Sequence, residues 1–132
     1  MKSKMELDQT HSEIMALWSE YREGIYEGDA DRLAGIFHES ANMLNVAPEG
    51  LVVTPIRKYF ENVRNRTVPK AIGAARRERL ISIAIPSDDS AVLTATILVM
   101  GKSYTDQLVL MKVQGKWLIV LKTLHLDEEI AG

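Results

Sequence analysis

The chain contains no cysteine, and this absence excludes several kinds of site at once. Without thiols there is no disulfide framework, no thiolate nucleophile and no cysteine-ligated zinc. A chain without cysteine fits a reducing compartment. The N-terminal stretch MKSKMELDQT also lacks the apolar core of a secretory signal. We therefore expect a cytoplasmic protein.

Long apolar runs and a strong charge imbalance are absent as well. The apolar run at residues 91–100 is about the length of one buried strand and far shorter than a membrane span. The formal net charge is −2, which is too small to indicate a nucleic-acid-binding surface. The one basic cluster, at residues 76–79, contains Glu78 and is typical of a solvated strand end. We expect neither a membrane nor a nucleic acid as a partner.

Motifs for metals, cofactors and nucleophilic catalysis are also missing. The three histidines show no HxH or HExxH spacing, so we expect no metal site. There is no glycine-rich phosphate loop and no GxSxG nucleophile motif, and we expect no cofactor. What remains is an ordinary globular composition, 46% apolar and 26% charged over 132 residues. This length predicts a single domain, residues 1–132, with a substantial core.

Three helices are predicted in the first half of the chain. Thr10 and Glu13 have capping-box spacing, and an amphipathic helix then runs to Gly28. Its apolar stripe is Ile14, Leu17, Trp18, Tyr21 and Ile25. Asp29 caps a shorter second helix, whose apolar residues are Leu33, Ile36 and Phe37. Pro55 begins a third helix, whose apolar residues are Ile56, Tyr59, Phe60 and Val63.

Strands are predicted between and after these helices. Two short ones, 42–47 and 51–54, surround a Pro48–Gly50 turn. Four longer runs follow, each closed by turn residues: 76–85, 91–100, 103–113 and 116–126. Helices followed by a meander of strands predict an α+β fold, with the helices packed on one face of a curved antiparallel sheet.

Asp106 is the unusual residue of this meander, because it interrupts an apolar strand. A two-residue turn at Gln114-Gly115 predicts that Asp106 lies opposite Thr123. By the same count, Tyr104 lies opposite His125 and Leu108 opposite Leu121. A turn at Gly101-Lys102 places Ile97 on the other side of Asp106. The predicted inner face around Asp106 therefore contains Ile97, Tyr104, Leu108, Trp117, Thr123 and His125.

Two segments resemble a known superfamily. Residues 28–38, GDADRLAGIFH, resemble a segment common in nuclear transport factor 2-like proteins, and residues 114–120, QGKWLIV, resemble their closing hairpin. Residues 104–110 combined with 117–123 are similar to the branch called putative lumazine-binding, which is related to the SnoaL-like polyketide cyclases. The resemblance implies a cone-shaped, cystatin-like fold in which a strongly bent antiparallel sheet wraps around about three N-terminal helices. It further implies a cavity between sheet and helices.

Three functional hypotheses follow, and all of them leave open a purely structural Asp106 that is hydrogen-bonded by Thr123, Tyr104 or backbone amides. First, Asp106 floors an apolar pocket for a small organic ligand, lined in addition by Trp18, Tyr21 and the inner-face residues. Second, Asp106 is the general base of an isomerase, cyclase or dehydratase. Third, the chain is a dimerising interaction module without catalysis. The outer sheet face mixes apolar and polar residues, which favours a homodimer.

Overall fold

A six-stranded sheet and three α-helices account for most of the chain in a computed structural model, which describes residues 2–130. The helices are α1 (Lys4–Glu27), α2 (Ala30–Ala34) and α3 (Ile56–Asn65). The strands are β1 (Phe37–Ala47), β2 (Gly50–Pro55), β3 (Arg77–Ser87), β4 (Ser90–Val99), β5 (Lys102–Val113) and β6 (Lys116–Glu129). A single 3-10 turn, Lys70–Ile72, interrupts the connection from α3 to β3.

The first helix begins earlier than its apolar stripe predicts. Ser3 is the N-cap, and its hydroxyl accepts a hydrogen bond from the Glu6 backbone N–H at 3.2 Å. Thr10 lies inside the helix, where its hydroxyl accepts a hydrogen bond from Lys2 Nζ at 2.9 Å. Residues 4–9 are good helix formers that remain exposed, so the helix extends through them without any burial pattern to reveal it. The C-terminal end agrees with the prediction, since Gly28 adopts the left-handed conformation there.

The second and third helices begin where their caps predict. Asp29 caps α2 by accepting a hydrogen bond from the Arg32 N–H at 3.0 Å, and Pro55 directly precedes α3. The predicted stripe of α2 was too long, because α2 ends at Ala34 and Phe37 already belongs to β1. Phe37 is nevertheless buried and packs edge-on against Phe60 of α3, with ring centroids 5.7 Å apart.

The sheet has the strand order β2-β1-β6-β5-β4-β3. Every pairing is antiparallel except that of β1 with β6, which is parallel. Buried side chains of the three helices and of β1, β4, β5 and β6 form one core. The predicted α+β architecture, helices packed against a curved and mainly antiparallel sheet, is confirmed.

A β-bulge in β6 changes the predicted pairing with β5. From the Gln114-Gly115 turn as far as Ile119, which pairs with Leu110, the register is the predicted one. Val120 then has no partner on β5, because Val109 pairs with Leu121. One extra residue on one strand reverses the alternation of side chains beyond it. The register predicted for the rest of β6 was therefore wrong.

The bulge exchanges the residues that share a face with Asp106. Asp106 pairs with Leu124 instead of Thr123, and Tyr104 pairs with Leu126 instead of His125. Lys122 follows Leu121 and so lies on the outer face in the predicted register, but in the structure it pairs with Leu108 and is buried. Beyond the bulge, the inner face of β6 thus presents Lys122 and Leu124 in place of the predicted Thr123 and His125.

The turn between β4 and β5 also lies one residue earlier than predicted. It is formed by Met100 and Gly101, with φ angles of 52° and 79°, as in the two-residue hairpin turns that match sheet twist. Asp106 consequently pairs with Ala95 instead of Ile97. This shift of two positions preserves the alternation, so Ile97 stays buried on the inner face.

Candidate functional site

Asp106 lies on the inner face of β5 with only 4% of its surface exposed. Its Oδ2 accepts a hydrogen bond of 2.5 Å from the hydroxyl of Tyr21, which α1 contributes from the opposite wall. Lys122 Nζ lies 4.0 Å from the same oxygen. The two partners of the buried carboxylate thus come from α1 and β6, and neither is among the partners that the sequence suggested for it. Thr123 instead donates a hydrogen bond of 3.4 Å to Gln107.

Lys122 is the second buried charge of the site. Its ammonium donates a hydrogen bond of 3.1 Å to the hydroxyl of Tyr59. The same nitrogen lies 4.2 Å from the centroid of the Tyr59 ring and 5.1 Å from that of Tyr21. Two aromatic faces, one hydroxyl and one carboxylate therefore offset the cost of burying the ammonium. The bulge in β6 turns the Lys122 side chain to the inner face, where these groups lie.

The Tyr21 hydroxyl stays protonated in this environment. Burial, and then the negative charge of Asp106, raises the pKa of Tyr21 well above its ordinary value. Tyr59 and the hydrogen bond to Asp106 add to the increase. Tyr21 therefore acts as a fixed hydrogen-bond donor to the carboxylate at neutral pH.

A cavity of about 220 Å³ opens beside these charged groups. Its lining comes from both helices α1 and α3 and from strands β1, β4, β5 and β6. The lining residues are Ile25, Met43, Tyr59, Asn62, Arg66, Ile97, Val99, Tyr104, Asp106, Lys122 and Leu124. A small concave site with apolar walls and a few convergent polar groups has the composition of a small-molecule pocket.

Arg66 introduces a further cation at the end of α3. Its Nε is buried, and within residues 2–130 it has no hydrogen-bond partner. Arg66 lines the cavity together with Asp106 and Lys122, and its charge lowers the pKa of Tyr21 against larger opposing effects. An unpaired buried N–H is costly, and two other donors within the described residues share this property, Arg22 Nε and Trp117 Nε1. Of the three residues, Arg66 is the one that lines the cavity.

The residues predicted for the site divide into three groups. Ile97, Tyr104 and Asp106 line the cavity, and Tyr21 lies directly behind Asp106. Another three are buried but are not lining residues: Trp18, Leu108 and Trp117. Trp18 stacks on Tyr21 with ring centroids 6.1 Å apart. Two point away from the inner face because of the bulge, Thr123 and His125, and the side chain of His125 is 79% exposed.

Three polar residues of the cavity were not predicted: Lys122, Tyr59 and Arg66. Tyr59 was recognised as part of the apolar stripe of α3, where its hydroxyl gave no signal of a polar role. Lys122 and Asp106 are both charged residues that interrupt an apolar strand. This common feature is the one signal in the sequence that could have indicated an ion pair between them. No pattern in the sequence indicates Arg66.

Two further properties concern the described part of the chain. No group of three or more histidine, aspartate or glutamate side chains within residues 2–130 is placed to hold a metal ion. Among the same residues, no helix combines the length and the apolar character needed to cross a membrane.

Solved structures with this architecture are numerous. An NTF2-like (nuclear transport factor 2-like) protein of unknown function from Shewanella baltica OS155 superposes with a TM-score of 0.84 at 24% identity, covering 98% of this chain and 100% of that one. A second NTF2-like protein of unknown function, from Silicibacter pomeroyi DSS-3, superposes with a TM-score of 0.77 at 18% identity, covering 92% of this chain and 98% of that one. The hexachlorocyclohexane dehydrochlorinase LinA-type3 from Novosphingobium barchaimii LL02 gives 0.70 at 17% identity, with 98% and 96% covered. At these identities the likeness establishes the fold alone.

Sequence comparison identifies the family. No curated protein matches the chain. A family model described as "Putative lumazine-binding" matches residues 9–125. This range includes α1 from its sixth residue onward, α2, α3, all six strands as far as His125, and every residue of the cavity. The chain therefore belongs to the putative lumazine-binding family, and its fold is the one found in nuclear transport factor 2-like proteins.

Proposed function

We propose that this protein binds a small organic molecule in the cavity beside Asp106. The observation that carries the proposal is the arrangement of Asp106, Lys122 and Arg66 around one open space between the helices and the sheet. A purely structural ion pair needs no cavity next to it, and packing alone would favour apolar side chains of similar volume at these positions. Groups that are costly to bury and that border an open space are typical of binding sites.

The size and walls of the cavity limit the ligand. A volume of about 220 Å³ lies below the range of roughly 300–1,000 Å³ usual for drug-sized ligands, so the ligand is small. Aliphatic side chains of Ile97, Val99 and Leu124 form one part of the wall, and the rings of Tyr59 and Tyr104 form another. These surfaces suit a compact body that is apolar or aromatic.

A thermal-shift screen against a metabolite library tests this proposal, because any molecule that binds only the folded chain raises the melting temperature. A hit should lose its effect in Asp106→Asn and keep it in Asp127→Asn. Asp127 is the matched control, since it is a carboxylate on the same sheet that accepts a hydrogen bond from Thr105 outside the cavity. A hit that stabilises both variants as well as the parent protein would refute a binding role for the cavity.

Proton transfer is the second candidate function, and one distance favours it. Lys122 Nζ lies 4.0 Å from Asp106 Oδ2, so a base and a cation face the same space. A carbonyl compound bound there could lose a proton from its α-carbon to Asp106, while the Lys122 ammonium stabilises the enolate oxygen. The isomerase, cyclase and dehydratase hypotheses share this step.

Deuterium exchange separates catalysis from binding alone. With 2-oxo-4-phenylbutanoate in D2O, an enzyme of this kind should accelerate exchange of the C3 protons, as followed by 1H NMR. Asp106→Asn should abolish the acceleration, and Asp127→Asn should leave it unchanged. Binding of the compound without any faster exchange would favour the first proposal over the second.

We also propose that the outer sheet face forms a homodimer. Five apolar side chains on that face are only partly buried in the single chain: Leu98, Val109, Met111, Leu118 and Val120. Burying them against a second copy would remove this surface from water. Light scattering during gel filtration measures the mass directly, and Val109→Glu should shift a dimer towards the monomer. If the cavity binds nothing while the dimer persists, the chain is an interaction module instead.

A further inference from the structure

The charges that border the cavity do not balance. Two of its lining residues are cations, Lys122 and Arg66, and one is an anion, Asp106. The remaining polar residues, among them Asn62, are neutral. The cavity wall therefore carries a formal charge of +1, although the chain as a whole carries −2. A positive cavity in a negative chain favours an anion over a cation.

The hydrogen-bonding groups of the cavity also favour an anionic ligand. Asp106 already accepts the hydrogen bond from Tyr21 and faces the ammonium of Lys122. The donors, in contrast, are in excess. Arg66 Nε has no partner within residues 2–130, and Lys122 has three donors, of which Tyr59 accepts one. A ligand that supplies acceptor oxygens would satisfy groups that the folded chain leaves without a partner.

The rest of the wall defines the body of the ligand. Ile25, Ile97, Val99 and Leu124 present aliphatic surface, and Tyr104 presents a ring. A compact polyanion such as a phosphate ester would bring two negative charges close to Asp106 and would leave this apolar surface uncovered. One negative charge at one end of an apolar body fits both parts of the wall.

We infer that the ligand is a small organic carboxylate with an apolar or aromatic body, whose carboxylate is held by Arg66 and Lys122. This inference rests on the proposed small-molecule binding and adds the chemical class of the ligand. Arg66 is the residue that decides between an anion and a neutral compound, because its guanidinium can hold a carboxylate through two parallel hydrogen bonds.

Three probes that share a phenylpropyl skeleton test the charge. They are 3-phenylpropanoate, its neutral amide 3-phenylpropanamide and the cation 3-phenylpropylamine, each titrated into the intact protein by calorimetry. We expect the carboxylate to bind at least tenfold more tightly than the amide, and the amine not to bind. Arg66→Gln should weaken carboxylate binding at least tenfold and leave amide binding unchanged. Arg57→Gln, which replaces an exposed arginine of α3, should change neither.

The alternative outcomes are distinguishable. If the amide or the amine binds as well as the carboxylate, or if Arg66→Gln has no effect, the anionic class is wrong while small-molecule binding stands. If none of the three probes binds, the class is overturned, and the metabolite screen decides binding separately. Should Arg66→Gln fail to fold, Arg66→Lys retains the charge but loses the paired donors. Arg66→Lys should therefore bind the carboxylate more weakly than the parent protein does, while still binding it more tightly than the neutral amide.

Discussion

Replacing Asp106 by asparagine should destabilise the fold substantially. The substitution preserves shape and leaves an amide oxygen to accept the hydrogen bond from Tyr21. It removes the negative charge that faces Lys122, whose ammonium is then buried with only the Tyr59 hydroxyl and two rings around it. An uncompensated buried cation is the main cost.

The magnitude follows from the distance between the two charges. At the observed 4.0 Å, unit charges attract by about 4 kcal/mol with an effective dielectric constant of about 20. Removing one partner from a buried ion pair typically costs about 3–5 kcal/mol. Because asparagine keeps the Tyr21 bond, we expect the lower end, about 3 kcal/mol. This is less than the ~5–15 kcal/mol by which typical domains are stable, so the variant should still fold.

Urea denaturation followed by circular dichroism measures this loss, and a double-mutant cycle assigns it. Lys122→Met removes the cation, and the double variant removes both charges together. The cost of the double variant should be about 2 kcal/mol less than the sum of the two single costs, because neither charge is then left alone. Asp127→Asn serves again as the exposed control and should change stability by less than ~0.5 kcal/mol.

Two results would contradict the proposed coupling between Asp106 and Lys122. If Asp106→Asn costs no more than Asp127→Asn, then the carboxylate does not compensate Lys122. The second is a double variant whose loss of unfolding free energy equals the sum of the losses in the two single variants. Asp106 and Lys122 would then not stabilise each other, despite their separation of 4.0 Å.

Further substitutions test other parts of the structure. The raised pKa of Tyr21 has a definite sign in its effect on stability. Below about pH 10 both states are protonated, whereas above it only the unfolded chain loses the proton, so the free energy of unfolding should fall by up to ~1.4 kcal/mol per pH unit from this residue. Tyr21→Phe lacks this contribution, and urea denaturation between pH 9 and 11 should show a flatter profile; parallel profiles would contradict it. Gly24→Ala would place a Cβ 2.8 Å from Leu33 Cδ2, and overpacking between α1 and α2 should lower stability by about 1–3 kcal/mol despite the better helix propensity of alanine, as the melting temperature would show. Ser3→Ala should cost up to ~1 kcal/mol and act locally, with faster amide exchange confined to the first turns of α1, whereas exchange changes spread over the core would argue against Ser3 as the cap.

The order of the elements was predictable because it depends on local signals. Asp29 and Pro55 mark helix starts, Gly28 ends α1, and Gln114-Gly115 closes the last hairpin. Each acts through backbone conformation or hydrogen bonds within a few residues. The predicted start of α1 was wrong because no burial pattern marks the true one. Residues 4–9 have helix propensity but are exposed throughout.

The candidate site was predictable only in part. Asp106 stands out because a charge interrupts an apolar strand, and the structure does bury it beside a cavity. Its partners were assigned by counting residues from a turn, and such counting holds only while the strand remains regular. A single bulge at Val120 therefore replaced Thr123 and His125 on the inner face by Lys122 and Leu124.

The fold class and the inward direction of Asp106 could be inferred from the sequence alone, because they follow from periodicity, caps and turns that act along the chain. The family could be inferred as well, from the resemblance of particular segments to it. The partners of Asp106 depend on the three-dimensional arrangement of distant segments. Tyr21 lies 85 residues away along the chain, Tyr59 comes from α3, and Lys122 reaches the site through an irregularity in β6. Contacts between distant segments depend on how the sheet bends around the helices, and no local pattern of residues encodes that bend.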